Sequence, residues 1–261
     1  QERFASRDHK GTRGRLVVIG GEPGMSGALR LAARSAFAAG AGLVHAVAPE
    51  ATIDVLVTAE PDVQTLKHEF APPLSPALVE LLDRSDAAVL GPGLGRGDAR
   101  REFVAAVMRR SRCVVLDADA LNAFASAVSE LRELAVGRMV VLTPHAGEFR
   151  RLFSDLADGA ECDPWSAAAR AAEASGCTVL LKGVPTVVAS QVGPLFTVAA
   201  GNPGLATGGS GDVLSGLVGT FLVQLQHPGS AAAVAAQALG RAADLAARRV
   251  TARAMRPMDV I

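Results

Sequence analysis

Six short apolar runs recur along the chain, at residues 16–19, 43–48, 87–90, 113–116, 139–142 and 178–181. Such short runs without alternation suit strands buried on both faces, as parallel strands are. Helices are expected at about 27–39, 76–84, 98–110 and 164–174, with Gly40 closing the first and Pro164 in the first turn of the last. Pro49-Glu50 opens a short helix or turn, and residues 59–76, with Pro61, Pro72, Pro73 and Pro76, read as a long connection. A closing strand pair is expected at 186–189 and 195–198, around the turn at Val192-Gly193-Pro194. Strands that alternate with helices imply an α/β fold: an open, mostly parallel central sheet with helices on both faces. One domain over residues 1–261 is expected, with a polar arm at 1–14. Ligands bind at the carboxyl ends of such strands. Gly20-Gly21, Gly93 to Gly95, Asp119, Asn122, His145 and Lys182 all fall there, and are expected to share one rim.

Composition narrows the partners. The 261 residues are 49% hydrophobic and 20% charged, which supports a substantial core and excludes disorder. Lys+Arg and Asp+Glu balance at 26 each, so nothing calls for nucleic acid or an anionic membrane surface. Cys113, Cys162 and Cys177 form no metal spacing and no disulfide framework, which suits a reducing, cytoplasmic compartment. No apolar run approaches the roughly 18 residues of a membrane span.

The stretch Gly201-Asn202-Pro203-Gly204-Leu205-Ala206-Thr207-Gly208-Gly209-Ser210-Gly211-Asp212 carries five glycines in twelve residues and reads as a flexible loop. A helix follows it, with apolar residues at 213, 214, 217, 218, 221, 222 and 225. Loop backbone thus arrives at a helix N-terminus, where unpaired N–H groups can converge on a phosphate. Asp212 stands beside that anion site. A base beside a phosphate cradle suits phosphoryl transfer to a hydroxyl. A plain tight turn with Asp212 favoured by the helix dipole is the alternative. A second Ala-rich helix is expected at about 230–249.

Other motifs sort by elimination. Neither Gly20-Gly21-Glu22-Pro23-Gly24 nor Gly91-Pro92-Gly93-Leu94-Gly95-Arg96-Gly97 is a Gly-x-Gly-x-x-Gly fingerprint, and Pro92 removes a loop donor. There is no Gly-x-x-x-x-Gly-Lys-Ser/Thr and no Gly-x-Ser-x-Gly. Lys182-Gly183-x-x-Thr186 follows a buried strand and faces the glycine loop, which favours a nucleotide clamp over a snorkelling lysine. His145 is either structural or a rim ligand, and both readings stand. Asp119 and Asn122 can cap and turn a short helix, the default for Asn122. His45 and His227 receive no role.

Taken together, nine motifs resemble the nucleotide-dependent NAD(P)H-hydrate dehydratases of the ribokinase-like superfamily. They are Lys10-Gly11-x-x-Gly14, Val18-Ile19-Gly20-Gly21, Gly27-Ala28, Ala39-Gly40-Ala41-Gly42-Leu43-Val44, Gly91-Pro92-Gly93-Leu94-Gly95, Asp117-Ala118-Asp119-Ala120-Leu121-Asn122, Thr143-Pro144-His145-x-Gly147-Glu148, Lys182-Gly183-x-x-Thr186 and Asn202-x-Gly204-x-Ala206-Thr207-x-Gly209-Ser210-Gly211-Asp212. They run in order from about residue 10 to 240, and their order is what makes them specific.

The resemblance implies a ribokinase-like three-layer sandwich and a repair reaction. NADH or NADPH hydrated at C6 of the nicotinamide is restored by eliminating that hydroxyl. ADP (or ATP) phosphorylates the oxygen, so that phosphate rather than hydroxide departs; AMP (or ADP) is the other product. The resemblance implies Asp212 as the base. It implies Ala28, Gly95, His145 and Asp212 around the hydrate, and Lys182, Gly183, Val184, Pro185, Thr186 and Gly211 around the adenine nucleotide. Backbone N–H groups from Gly209 to Gly211 would stabilise the transferred phosphoryl group. It further implies Mg²⁺ with the nucleotide and no dedicated protein metal cage, a homo-tetramer, and a fused or partner epimerase. One departure stands out: Glu22-Pro23-Gly24-Met25 occupies the place where the family often has a Ser followed by an aromatic, and the chain has no Tyr. An ATP-dependent small-molecule kinase of the same superfamily is the alternative activity, and a non-catalytic nucleotide sensor a third reading.

Overall fold

The computed structural model describes residues 13–160 and 162–261. The arm expected at 1–14 lies, up to residue 12, outside the described residues, as do Lys10 and Gly11 of the first motif.

The described strands are β1 (Arg15–Ile19), β2 (Leu43–Ala48), β3 (Gln64–Lys67), β4 (Ala87–Leu90), β5 (Cys113–Leu116), β6 (Met139–Leu142), β7 (Thr178–Leu181), β8 (Thr186–Ala189) and β9 (Phe196–Val198). They pair as one sheet in the order β3-β2-β1-β4-β5-β6-β7-β8-β9. Pairing is parallel from β3 to β7 and antiparallel where β8 and β9 close the edge. The helices are α1 (Ser26–Ala38), α2 (Glu50–Ala59), α3 (Pro76–Asp83), α4 (Arg100–Arg110), α5 (Ala118–Ala123), α6 (Val128–Ala135), α7 (Ala146–Leu152), α8 (Pro164–Ser175), α9 (Ser210–Leu225) and α10 (Pro228–Val250). Helices α1, α9 and α10 pack together, with α9 over β4 and β5. Helix α4 packs against β4, α8 against β7, and α6 joins those two helices. The central strands β4 and β5 are buried at every residue, as their unbroken apolar runs require.

Two expectations need correction. Residues 59–76 are not one connection, because β3 lies within them as the sheet's parallel edge. Its Gln-Thr-Leu-Lys sequence has no fully buried residue, so it lacks the apolar run that marks an inner strand. The glycine loop is not flexible along its length either. A 3₁₀ turn at Pro203–Leu205 is capped by Asn202, whose Oδ1 accepts from Gly204 N at 3.0 Å. Asp244 on α10 accepts from Gly201 N at 3.3 Å and from Asn202 Nδ2 at 3.2 Å.

Helix α9 carries that loop into the site, and glycine lets it sit deep. A Cβ at Gly216 would collide with the Ala32 carbonyl and Ser35 Oγ of α1, and one at Gly219 would come within 3.0 Å of Leu16 Cδ2 on β1. Gly216→Ala should therefore destabilise the fold by about 1–3 kcal/mol, since the obstacle is partly backbone and cannot rotate away. Urea unfolding checks this as a lower midpoint at unchanged m-value; an unaltered midpoint would show that α1 and α9 separate freely.

Candidate active site

The carboxyl ends of β1, β4, β5, β6 and β7 lie side by side, so the rim follows strand order. Backbone hydrogen bonds join neighbouring loops: Gly21 N to Pro92 O at 2.9 Å, Asp117 N to Leu90 O at 3.0 Å, Thr143 N to Leu116 O at 3.1 Å, and Lys182 N to Pro144 O at 2.8 Å. A side chain on Gly20 would strike the Pro92 carbonyl, and one on Gly91 the Asp117 carbonyl. These glycines are required by close approach of one loop to the next.

At the centre Lys182 Nζ lies 3.0 Å from Asp117 Oδ1 and 3.6 Å from Glu148 Oε2. Both carboxylates are buried. Asp117 Oδ1 also accepts from Thr143 Oγ1 at 2.7 Å, and Glu148 Oε2 accepts from His145 N at 2.9 Å. Burial opposes the lysine's charge, but Asp117, Glu148 and Asp212 prevail and hold its pKa above the ordinary value. Ala118, between Asp117 and Asp119, has φ 46°, in the left-handed region a β-carbon disfavours. Asp119 Oδ2 accepts from Gly95 N at 3.0 Å.

The glycine loop meets this cluster where α9 begins. Gly209, at φ 101°, occupies the N-cap position. Among the described residues the N–H groups of Gly209, Gly211 and Asp212 have no carbonyl partner. A Cβ at Gly211 would lie 3.3 Å from Lys182 Nζ and 3.7 Å from Asp117 Oδ2. Free donors, a lysine and an uncluttered backbone thus converge on one spot, a cradle for an anion. Asp212 is at its edge, and its pKa is pushed up to about 7. Burial is the main cause; Asp117, Asp119 and Glu148 add to it, and Lys182 partly offsets them. A carboxylate poised near neutrality is suited to proton transfer.

Of the residues expected around the nucleotide, Lys182, Gly183, Val184 and Pro185 line a further cleft, while Gly211 lies in the cradle. Gly183, Val184 and Pro185 form one wall of this cleft of about 180 Å³, opposite Ala146, Phe149 and Arg150 of α7. Val184 is fully exposed at its lip, and Thr186 Oγ1 donates to the Gly183 carbonyl at 3.2 Å. Ala28 lies beside Gly93, where a Cβ would come within 3.3 Å of the Ala28 Cβ, and Gly95 packs against Glu22. His145 is half-exposed and caps α7: its Nδ1 accepts from Gly147 N at 2.9 Å, and its Nε2 lies 3.5 Å from Glu148 Oε1. The structural reading is met: His145 is the cap of α7, at the carboxyl end of β6. Asn122 does not cap α5. Its Nδ2 donates to Asp119 Oδ1 at 3.3 Å and its Oδ1 accepts from Arg151 Nε at 2.8 Å, tying α5 to α7.

Asp117 and Glu148, the lysine's partners, lie within two of the motifs but carry no local signal of that pairing. Asp117 is 65 residues from the lysine it holds. Only the adjacency of β5, β6 and β7 brings them together. Among the described residues no group of three or more His, Cys, Asp or Glu side chains could hold a metal ion, and no helix is long and apolar enough to cross a membrane.

Comparison with known proteins places this architecture. A family model described as NAD(P)H-hydrate dehydratase matches residues 16–261. The chain is 39% identical over 246 residues to the ADP-dependent (S)-NAD(P)H-hydrate dehydratase of Neisseria meningitidis serogroup B, covering 92% of this chain and 80% of that one. It is also 39% identical over 262 residues to the bifunctional NAD(P)H-hydrate repair enzyme Nnr of Moorella thermoacetica, covering 97% of this chain and 49% of that protein. The chain spans about half the length of the first curated relatives it matches. Among solved structures, the ADP/ATP-dependent NAD(P)H-hydrate dehydratase of Bacillus subtilis, co-crystallized with ATP/Mg²⁺, is similar at a TM-score of 0.83 and 26% identity, covering 99% of this chain and 90% of that one. The fold is accordingly ribokinase-like.

Proposed function

Because the chain belongs to the NAD(P)H-hydrate dehydratase family, we propose that it dehydrates the S-epimer of NADH or NADPH hydrate at the expense of ADP, releasing AMP and phosphate. The observation that carries this reading is Asp212, a carboxyl raised to about 7, at the edge of the Gly209–Gly211 cradle and beside Lys182.

The ionised Asp212 takes the proton from the C6 hydroxyl, and the oxygen attacks the terminal phosphorus of ADP. The bond to the bridging oxygen breaks and AMP departs. The N–H groups of Gly209 and Gly211 and the Lys182 ammonium hold the charge on the moving phosphoryl group; losing one such donor typically costs about 10²–10³-fold in rate. The ring nitrogen then expels the C6 phosphate while C5 loses a proton, which restores the dihydronicotinamide. Lys182 to Thr186, with Gly211, hold the nucleotide, its base in the cleft between Val184 and Phe149. Ala28, Gly95 and His145 line the hydrate pocket. Mg²⁺ would arrive on the nucleotide with most of its waters. Asp117 and Asp119 are the carboxylates that would meet it, and its chemistry there is to neutralise phosphate charge.

The test is incubation with ADP, Mg²⁺ and NADH or NADPH hydrate. Absorbance of the dihydronicotinamide should return, with one AMP and one phosphate formed per turnover. A stable phosphoester without that absorbance would point to a kinase and overturn the reading. The rate at saturating substrate should fall with acid below an apparent pKa of about 7, because the base must be ionised. A flat profile between pH 5 and 8 would exclude Asp212 as that base. The reading extends to a single domain over residues 1–261, a homo-tetramer in the cytoplasm and a fused or partner epimerase, in keeping with relatives named bifunctional.

A further inference from the structure

A second cleft, of about 470 Å³, opens beside the reacting centre. It shares Gly95 and Asp119 with the rim, and Arg96, Arg101, Asn122 and Arg151 line its outer part. Of the arginines on its wall, Arg100 is committed inward: it is paired with Glu22, and its Nε donates to the Leu94 carbonyl at 3.2 Å. The other three are exposed. Arg101 Nε donates to the Ala123 carbonyl at 2.8 Å and its Nη1 lies 4.0 Å from Glu130 Oε2, while Arg151 uses its Nε on Asn122. Arg96 makes no ion pair among the described residues. Of the two acids on the wall, Asp98 and Asp119, the second is engaged by Gly95 N and Asn122 Nδ2.

We propose that this arginine-lined cleft binds a phosphate of the dinucleotide tail of the hydrate. The inference rests on the dehydratase reading above. A nicotinamide ring held between Gly95 and Asp212 must lead its ribose and phosphates out of the rim. The Arg cleft is lined mainly from the loops after β4 and β5, and the cleft of Val184 and Phe149 mainly from those after β6 and β7, so the two lie toward different ends of the rim. Guanidinium groups in the Arg cleft present paired N–H donors of the geometry that phosphate oxygens accept. The bound phosphate is either the pyrophosphate that both hydrates carry or the 2′-phosphate of NADPH hydrate alone.

The double variant Arg96→Ala/Arg151→Ala tests this, both side chains being exposed and outside the core. At saturating ADP, KM for the hydrate should rise about tenfold with kcat within about twofold, as expected when an interaction equal in ground and transition states is removed. KM for ADP should stay unchanged, and the Arg→Lys pair should recover part of the loss. A rise for both hydrates assigns the cleft to the pyrophosphate, and a rise confined to NADPH hydrate assigns it to the 2′-phosphate. An unchanged KM for both, or a fall in kcat alone, overturns the proposal. Direct titration with NADPH separates its failure from that of the dehydratase reading. The double variant should bind NADPH about tenfold more weakly even if the wild type turned over neither hydrate, and equal affinity would overturn the cleft assignment by itself.

Discussion

Asp212→Asn is expected to lower kcat/KM for the dehydration by about 10³-fold, within the range lost when a general base is removed. The amide is isosteric and keeps the first turn of α9, so adenine-nucleotide affinity should stay within a few-fold. The same substitution has an opposite effect on stability. The folded pKa of Asp212, about 7, lies above its ordinary value of 3.8. The group therefore favours folding most below the unfolded value, and that contribution is lost as pH rises through 7. At pH 8 the Asn variant should be more stable than the parent by at least about 1 kcal/mol, and near pH 4 almost equal. Thermal melts at the two pH values read this out. A variant that kept its rate within threefold of the parent would remove Asp212 from the mechanism.

Lys182→Met should be the most damaging change to the site as a whole. It leaves Asp117 and Glu148 buried without the ammonium that lies 3.0 and 3.6 Å from them. Stranding buried charge in this way costs about 3–5 kcal/mol, and the lysine's partial exposure places the effect near the lower figure. Lys182 also pulls the Asp212 pKa down against its other neighbours. Without it the acid limb of the pH–rate profile should move upward, so that activity recovers more between pH 7 and 9 than in the parent. Adding Asp117→Asn should return stability but not rate. If the acid limb stays in place in the single variant, Lys182 does not set the charge of the base.

The apolar runs are enough to read six of the nine described strands, because burial on both faces leaves an unmistakable composition, and the turn at Val192-Gly193-Pro194 marks the closing pair β8 and β9. The edge strand β3 is hidden by its position: with Gln64 and Lys67 exposed, it has no reason to be apolar. Helix α6, Val128–Ala135, is likewise unmarked, because the Ala-rich stretch before it blurs its start, and so is the short α7, Ala146–Leu152. In the site, Asp212, Lys182 and the glycine loop were legible because each breaks a local pattern. The Asp117–Lys182 pair was not, since its partners meet across strands, 65 residues apart, and Asp117 is not unusual where it stands in the chain. The dual place of His145 follows from the same limit. A capping box and a rim position look alike in sequence, as both call for a polar residue after a strand.

Asp244 sets when the loop is ordered. By holding Gly201 and Asn202 it fixes the entry to the glycine loop from a helix that follows it in the chain. Ordering one residue's backbone costs about 1–2 kcal/mol of conformational entropy. Here that loss falls on folding, once per molecule, and not on each encounter with nucleotide. The cradle is then shaped before its ligand arrives, and affinity reflects contacts rather than the ordering of a slack loop. A chain that lost the second half of α10 would keep every residue of the loop and still bind its anion more weakly.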